Sequence, residues 1–329
     1  MSAPAQRGSG PAWAIAIHGG AGALPGDLPL AELQQIRDAL QAALVAGSSV
    51  LGCGGASLDA VQSAVRVMES SGVLNAGRGA VLNHEGLAEL DAALMDGRDR
   101  RVGAVGAIRH IANPIDLARA VLDHGAHVML VGAGAEQFAR ERGFALQPDG
   151  YFITARRQRE LERALRAGQR VPGERAAPVS TDPQGTVGAV ALDVRGDLAA
   201  ATSTGGITNK HSGRIGDSPI IGAGTLAENG VCAISATGHG EWLLRLTVAS
   251  DVWARVKYQG KSIDSAAREV IQALGAAGGE GGLIAIDGSG TVAMPHCSPT
   301  LIRGQASSGR SPEVIVEVTA RASRQSAHI

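Results

Sequence analysis

Two spacings of hydrophobic residues divide the chain into predicted helices and predicted strands. Apolar residues that recur every three or four positions predict helices at 30–47, 57–72, near 115–123, at 241–257 and at 263–274. Short apolar runs predict strands at 13–24, 101–108, 127–134, 187–193, 198–203 and 231–236, and a closing hairpin at 281–294. The segment 75–97 is predicted to alternate turns and short strands. These elements are grouped rather than strictly alternating, which favours mixed or antiparallel sheet with helices packed outside it.

Two stretches lack this pattern. We expect residues 1–12 to be disordered, because they carry no periodic apolar positions. The segment 154–184 is rich in arginine and then in Pro, Ser and Asp, which predicts a short exposed helix followed by a flexible linker over about 169–185. The linker stops abruptly at Gly185, where a buried apolar run begins. We expect 1–185 and 186–329 to form one structural domain.

Composition excludes several classes of protein. The 329 residues are 44% apolar, enough for a sizeable core, and the net charge of −1 with 2% aromatic residues argues against nucleic-acid binding. Three cysteines without CxxC spacing predict neither a zinc site nor a disulfide framework. The stretch 131–138 lacks the third glycine of a dinucleotide-binding turn, so we expect no organic cofactor. We see neither a membrane span nor a secretory signal and expect a cytoplasmic protein.

The stretch 185–206, GTVGAVALDVRGDLAAATSTGG, predicts a hairpin with threonines at its open end. Its turn, VRG, is a common three-residue loop in which Gly196 takes the left-handed position. With Arg195 at the centre of the turn, Thr186 faces Thr204 across the two strands. Directly opposed side chains in a sheet lie about 5 Å apart at Cβ. The register therefore predicts that two threonine hydroxyls meet.

Thr186 is the candidate nucleophile of this hairpin. Most strand threonines only pack, but Thr186 sits where a linker meets a buried strand, follows a glycine that tolerates a strained peptide, and has small neighbours. A threonine hydroxyl needs a base beside it, and the α-amine of an N-terminal threonine, with an unperturbed pKa of about 7.7–8.0, can be that base. A cut between Gly185 and Thr186 would create this arrangement.

Two further motifs suit an amino-acid substrate, which is a zwitterion. Arg214 offers a bidentate fork for a carboxylate, and Asp217, three residues later, offers the opposite charge. Spacing alone favours a surface salt bridge, whereas the flanking motifs favour a binding site. The turn TGHG at 237–240 follows a predicted strand, and its backbone N–H groups could stabilise an oxyanion. We interpret His239 in this turn as a pocket-rim or packing residue, and His18 in the HGG run near the N-terminus as a structural hydrogen-bonding residue.

The ordered set of motifs resembles the plant-type L-asparaginases, also called isoaspartyl peptidases. The motifs are HGGAGAL near the N-terminus, NAGRGAVLN and ELDAALMDG, the hairpin above, NKHSGRIGDSPIIGAG at 209–224, ATGHGE at 236–241 and GGEGGLIAID. They cover roughly residues 13–295. These enzymes are N-terminal nucleophile (Ntn) hydrolases. The resemblance therefore implies an α+β fold, a four-layer αββα sandwich of two mostly antiparallel sheets with helices outside.

The resemblance also implies a role for each matching residue. It implies self-cleavage between Gly185 and Thr186, with Thr186 the nucleophile and Thr204 its hydrogen-bond partner. Arg214 and Asp217 match the groups that hold the α-carboxylate and the α-ammonium. The remaining site positions are Thr237 and Gly238 for the oxyanion hole, Gly240 lining the pocket and Asn75 near the nucleophile. A structural sodium ion is implied on backbone carbonyls of Met68, Glu69, Ser71, Leu74, Ala76 and Arg78.

The implied activity is hydrolysis of L-asparagine and β-aspartyl dipeptides to L-aspartate, by a dimer of αβ heterodimers. A related alternative is a glycosylasparaginase, which acts on N-glycosylated asparagine and would be separated by assay on that substrate. From another class, the chain could be an amino-acid-binding protein on the same fold that never matures. An uncut polypeptide that binds aspartate through Arg214 would identify that third case.

Overall fold

The computed structural model describes residues 12–22, 24, 28–167 and 185–317. The disorder predicted for 1–12 and the linker predicted for 169–185 lie almost entirely outside these residues. The helices described are α1 (Leu30–Gly52), α2 (Ser57–Ser70), α3 (Pro114–His124), α4 (Gly132–Glu141), α5 (Ala155–Arg166), α6 (Gly240–Leu246), α7 (Val248–Gln259) and α8 (Ile263–Ala276). None of the helices in these ranges is both long and apolar enough to cross a bilayer.

The strands form two sheets. The strands described are β1 (Ala14–Gly22), β2 (Leu90–Asp96), β3 (Val102–Ile108), β4 (Met129–Val131), β5 (Val187–Leu192), β6 (Leu198–Thr204), β7 (Thr225–Glu228), β8 (Cys232–Gly238), β9 (Gly281–Asp287), β10 (Val292–Ala293), β11 (Thr300–Ser307) and β12 (Arg310–Ile315). The larger sheet has the order β12-β11-β1-β5-β6-β2-β3-β4, and the smaller has the order β10-β9-β8-β7. All described pairings between these strands are antiparallel except β3–β4. The expected mixture of helices and mostly antiparallel sheets is confirmed.

The larger sheet has a different neighbour on each face. Strands β1, β5 and β6 contact strands of the smaller sheet, while α1, α2 and α3 contact the larger sheet and α7 and α8 contact the smaller one. Successive side chains of a strand point to opposite faces. Accordingly, Ile15 and Ile17 of β1 join the core beneath α1 and α2, whereas Ala14 and Ala16 join the core shared with the smaller sheet.

One predicted helix boundary is wrong for a reason of packing. Gly47 was expected to end the first helix, but α1 continues to Gly52 and Gly47 is buried inside it. A methyl group at Gly47 would lie 2.4 Å from Cδ1 of Ile15 and 3.1 Å from the carbonyl oxygen of Ala60. The glycine therefore lets α1 approach β1 and α2 closely instead of terminating the helix.

Two other predicted segments differ from the structure, and three strands were not predicted. The helix expected at 241–257 is broken at Thr247, whose φ of 46° places it in the left-handed region between α6 and α7. The strand expected at 127–134 is only β4, because α4 begins at Gly132. Strands β7, β11 and β12 were not predicted at all.

Candidate active site

The β5–β6 hairpin has the predicted register. Val187 pairs with Ser203 and Leu192 with Leu198, and the amide of Gly196, at φ +85°, donates to the carbonyl of Asp193. At the open end, the hydroxyl of Thr186 donates to the hydroxyl of Thr204 over 3.1 Å. The predicted meeting of these two side chains is confirmed.

Strand alternation decides which way these threonines point. On β6, Ala199 and Ala201 join the core under the helices, while Ala200 joins the core between the sheets. Thr202 and Thr204 share the parity of Ala200, so they face the smaller sheet. Both are buried, as is Thr186 with 7% of its surface exposed. The hydroxyls are thus collected between the two sheets at one end.

The peptide groups around Thr186 are held on both sides. Its amide donates to Oγ1 of Thr237 over 3.4 Å, an oxygen that also accepts from the amide of Ala21 over 3.2 Å. Its carbonyl oxygen lies 2.8 Å from Nδ1 of His18. These contacts tie the residue after Gly185 to β1 and β8.

Gly185 lies against the backbone of Gly19 and Gly20, which leaves no space for a side chain at this position. A methyl group at Gly20 would lie 2.3 Å from Cα of Gly185, and one at Gly185 would lie 2.9 Å from the carbonyl oxygen of Gly19. The glycine turn after His18 therefore packs directly against the backbone of the Gly185–Thr186 bond. This close approach is a second reason for glycine at these positions.

A small cleft opens in front of the Thr186 hydroxyl, with a cavity volume of about 10 Å³. Its lining is small or polar and consists of Thr186, Thr204, Gly206, Ile207, Arg214, Gly216, Asp217, Gly238 and Gly240. Three of the glycines make room for the charged side chains. A methyl group would lie 3.1 Å from the Arg214 guanidinium at Gly206, 2.8 Å from it at Gly216 and 2.6 Å from it at Gly240.

The cleft holds one cation and one anion, as a zwitterionic ligand requires. Nε of Arg214 donates to Oε1 of Glu241 over 3.0 Å, and Nη2 lies 2.9 Å from the same oxygen. Asp217 is buried, and burial raises the pKa of its carboxyl to about 7 against the opposing charge of Arg214. Among the described residues its Oδ2 has no hydrogen-bond partner. A carboxylate left in this way is suited to an ammonium group.

The other predicted site residues surround this cleft. Gly238 and Gly240 line it, and Gly238 has a φ of +138° that favours glycine. Asn75 does not touch the Thr186 side chain in any described hydrogen bond. Its amide donates to the carbonyl of Gly206 over 2.8 Å, and its Oδ1 accepts from Val81 over 2.9 Å. Asn75 therefore fixes the loop that follows β6.

The predicted sodium ligands lie in the last turn of α2 and in the tight turn that follows it, namely Met68, Glu69, Ser71, Leu74, Ala76 and Arg78. The turn folds back on itself, since a methyl group at Gly77 would lie 2.6 Å from the carbonyl oxygen of Glu69 and one at Gly79 would lie 2.2 Å from that of Leu74. Backbone carbonyl oxygens are ligands that suit a hard cation such as sodium. No group of three or more His, Cys, Asp or Glu side chains that could hold a metal occurs in the described part of the chain.

Sequence reasoning missed two charged groups beside the cleft. Glu241 pairs with Arg214, and Lys210 is fully buried, with Nζ donating to the carbonyl of Glu89 over 3.0 Å. Burial lowers the pKa of Lys210, while the charge of Asp91 acts in the opposite direction. The only available signal was that both residues lie within motifs already singled out, because their partners lie elsewhere in the sequence.

The two histidines have different surroundings. His239 lies at the turn before α6, where its Nδ1 accepts from the amide of Glu280 over 3.3 Å. His18 is fully buried and contacts Thr186 itself. Its interpretation as a structural hydrogen-bonding residue gave no hint that its partner would be the candidate nucleophile.

The sequence of the chain is similar to those of known asparaginases and isoaspartyl peptidases. The chain matches the Asparaginase family (Asparaginase_2) over residues 11–316. It is 44% identical over 302 residues to the isoaspartyl peptidase of Salmonella typhimurium, covering 91% of this chain and 96% of that protein. It is 42% identical to the isoaspartyl peptidase/L-asparaginase of Mus musculus, covering 84% and 82% of the two chains, and 38% identical to the probable isoaspartyl peptidase/L-asparaginase 2 of Arabidopsis thaliana, covering 92% and 98%. The chain therefore belongs to the asparaginase family.

Proposed function

We propose that this protein is an autocatalytically processed amidohydrolase that hydrolyses L-asparagine and β-aspartyl dipeptides to L-aspartate. The observation that carries the proposal is the position of the Thr186 hydroxyl. It is hydrogen-bonded to Thr204 and lines the same cleft as Arg214 and Asp217. The names of the relatives supply the substrate class, and the charges of the cleft agree with it.

Maturation begins with attack of Thr186 Oγ1 on the carbonyl carbon of Gly185. The amide nitrogen of Thr186 leaves with the proton of the hydroxyl, so that an ester joins Gly185 to Thr186. Water then hydrolyses this ester and releases a carboxylate on Gly185 and a free amine and hydroxyl on Thr186. The products are an α chain of residues 1–185 and a β chain of residues 186–329.

Hydrolysis of the substrate uses the same hydroxyl with a new base. Arg214 binds the α-carboxylate and Asp217 the α-ammonium, which directs the side-chain carbonyl carbon toward Thr186. The α-amine takes the hydroxyl proton as Oγ1 attacks, and then gives it to the departing ammonia or amino acid. Water activated by the same amine hydrolyses the aspartyl ester and regenerates Thr186.

The oxyanion of each tetrahedral intermediate is assigned to Thr237 and Gly238. Oγ1 of Thr237 accepts from the amides of Ala21 and Thr186, so its own proton is available for donation. The amide of Gly238 supplies a second donor from the turn that lines the cleft. Donors of this kind are fixed before reaction and need no reorganisation when charge develops. Gly240 forms part of the wall beside Arg214.

The finer architecture and the assembly belong to the same proposal. Contacts of α1–α3 with one sheet, of the two sheets with each other and of α7–α8 with the other sheet support a four-layer αββα sandwich. We assign sodium to the Met68–Arg78 turn, where it would hold the carbonyls in place and take no part in the reaction. The functional unit is a dimer of αβ heterodimers, and its location is the cytoplasm.

The mass of the purified protein under denaturing conditions tests the proposal. Followed over days at neutral pH, the wild-type chain is expected to give two fragments that join at Gly185/Thr186, together with activity on β-aspartyl dipeptides. Thr186→Ala removes the nucleophile and is expected to abolish both, while Thr186→Ser keeps a hydroxyl and is expected to retain both at a lower rate. A Thr186→Ala protein that still hydrolyses the dipeptides would overturn the mechanism.

A further inference from the structure

We propose that His18 is a positioning residue for Thr186: a neutral imidazole whose Nδ1–H holds the Thr186 carbonyl, oriented by a one-way chain of three buried hydroxyls. The inference rests on the proposed function, because Thr186 matters in this way only as the nucleophile. The hydroxyls belong to Ser235, Thr202 and Thr225.

The partner of Nδ1 fixes the tautomer of His18. Nδ1 lies 2.8 Å from the carbonyl oxygen of Thr186, which can only accept a hydrogen bond, so Nδ1 carries the proton. Complete burial lowers the pKa of His18 to about 3, although the hydrogen bond to Thr186 opposes the shift. The ring is therefore neutral at physiological pH, and Nε2 has a lone pair instead of a proton.

The direction of the hydroxyl chain follows from this lone pair. Oγ of Ser235 lies 2.9 Å from Nε2 and must donate to it. A hydroxyl has one proton, so Ser235 in turn accepts from Thr202 over 2.7 Å, and Thr202 accepts from Thr225 over 2.6 Å. The carbonyls of Ser218 and Gly224 are competing acceptors at 3.0 and 3.4 Å, but donation to them would leave two oxygens facing each other without a proton.

The chain crosses between the two sheets without contact with solvent. His18 and Thr202 lie on β1 and β6 of the larger sheet, Ser235 and Thr225 lie on β8 and β7 of the smaller sheet, and all four are fully buried. Buried hydrogen-bonded groups in such a chain polarise one another and define a single arrangement. The four groups thus connect the residue after the scissile bond to the sheet that carries Thr237.

The backbone leaves space for this contact at one position. Gly188 pairs with His18 across β1 and β5. A methyl group at Gly188 would lie 2.4 Å from Nε2 of His18 and 2.0 Å from Oγ of Ser235. Gly188 is the second residue of β5, and a glycine within a strand weakens it. The imidazole–hydroxyl contact explains why glycine is nevertheless present.

Holding the Thr186 carbonyl has a consequence for the nucleophile. A carbonyl held in place fixes the plane of the Thr186–Val187 peptide. With the Thr186 nitrogen also held by Oγ1 of Thr237, rotation about the Cα–C bond is restricted, and the direction of the Cα–Cβ bond follows. After cleavage Thr186 is a chain terminus, and termini fray unless they are tied down. The Nδ1–H of His18 supplies such a tie from the other chain. A displacement of about 1 Å at a reacting atom can lower a rate about 100-fold.

Two isosteric substitutions separate the two ring nitrogens. The amide nitrogen of Asn reaches the place of Nδ1, and that of Gln reaches the place of Nε2. In matured enzyme, His18→Asn is expected to keep kcat within about threefold of wild type, whereas His18→Gln is expected to lower kcat about 10- to 100-fold with KM unchanged. Equal kcat values for the two variants, or a change confined to KM, would overturn the proposal.

Nitrogen NMR of wild-type protein labelled at histidine gives a test that needs no variant to mature. His18 is expected to show a protonated Nδ1 and an unprotonated Nε2, with its signals assigned by their loss in His18→Asn. A protonated Nε2 would overturn the proposal. A wild-type chain that stays uncut and inactive would remove the proposed function instead, while the tautomer would still be measured.

Ser235→Ala tests the chain itself, with Ser298→Ala as the matched control. Ser298 is also a buried serine, and its hydroxyl donates to the carbonyl of Thr300 over 2.8 Å, with no described contact to Thr186. Ser235→Ala is expected to lower kcat about tenfold at constant KM and to mix the two tautomers of His18. An unchanged kcat and an unchanged tautomer would contradict the role of the chain.

Discussion

The carboxylate of Glu241 forms an ion pair with the guanidinium of Arg214, with 3.0 Å between Nε and Oε1 and 2.9 Å between Nη2 and Oε1. A substrate carboxylate that binds this same Nε–Nη2 edge of Arg214 would have to displace Glu241. More than half of the Glu241 side chain is exposed, so the pair is partly screened and is worth about 1 kcal/mol or less.

Glu241→Gln is accordingly expected to lower KM for β-aspartyl dipeptides by up to about fivefold and to leave kcat unchanged. Arg214→Lys is the complementary variant and is expected to raise KM, because an ammonium cannot replace the bidentate fork. Steady-state kinetics at fixed ionic strength measures both. A higher KM in Glu241→Gln would mean that Glu241 helps to orient Arg214 rather than compete for it.

The carboxyl of Asp217 links substrate binding to pH. Its pKa is raised to about 7, mainly by burial, so it is protonated below that pH and loses the charge that we propose attracts the α-ammonium. KM of the wild type is therefore expected to rise as pH falls below about 7. Asp217→Asn is expected to have a high KM throughout, with no inflection. An inflection that persists in Asp217→Asn would assign the titration to another group.

The same carboxyl is expected to lower stability at high pH. Its raised pKa means that the folded state binds more protons than the unfolded state between about pH 4 and pH 7, so the free energy of unfolding falls as pH rises through this window. Asp217→Asn is thus expected to have a higher Tm than wild type at pH 8, by about 2–4 °C for each kcal/mol regained. The difference is expected to shrink at pH 5. Thermal melts at the two pH values test this, with Thr186→Ala added to both proteins so that each remains a single polypeptide.

The hydroxyls of Thr237 and Thr204 are expected to differ in how much each contributes to kcat. Thr237→Val removes a proposed oxyanion donor and is expected to lower kcat about 10²- to 10³-fold with little effect on KM. Thr204→Val has the same change in shape but removes one hydrogen bond to the nucleophile, and is expected to lower kcat about tenfold or less. Single-turnover rates of matured variants compare the two. Equal losses would place the oxyanion elsewhere.

Sodium binding to the turn after α2 is expected to raise the Tm of the protein. A ligand that binds only the folded state raises Tm with its concentration, so NaCl is expected to raise Tm more than choline chloride at equal ionic strength. Gly77→Ala is expected to abolish the difference, since its methyl group would lie 2.6 Å from the carbonyl oxygen of Glu69. Gly86, which also has a positive φ but no atom near its Cβ position, provides the control Gly86→Ala.

Local rules predicted the hairpin and its threonine pair, because turn chemistry and strand alternation act over a few residues. The same rules failed at Gly47 and at β11. Gly47 leaves space for the side chain of Ile15 on β1, and β11 pairs with β1, which lies almost 300 residues earlier in the sequence. The partners of Arg214 and His18 were likewise unpredictable, since Glu241 and the hydroxyl of Ser235 reach them only through tertiary packing. The contacts that could not be predicted from the sequence are those between residues far apart along the chain.

Strand β1 lies between β5 and β11 and is hydrogen-bonded to both. After cleavage β1 would belong to one polypeptide and both of its neighbours to the other, while β6 would pair with β2 across the same division. The strands of the two polypeptides alternate in the larger sheet, so the polypeptides could dissociate only by breaking the pairings of β1 with β5 and β11 and of β2 with β6. The native state would then be reached from a single covalent precursor but unfold into two separate molecules. Its persistence would depend on a barrier to opening rather than on an equilibrium it could re-enter.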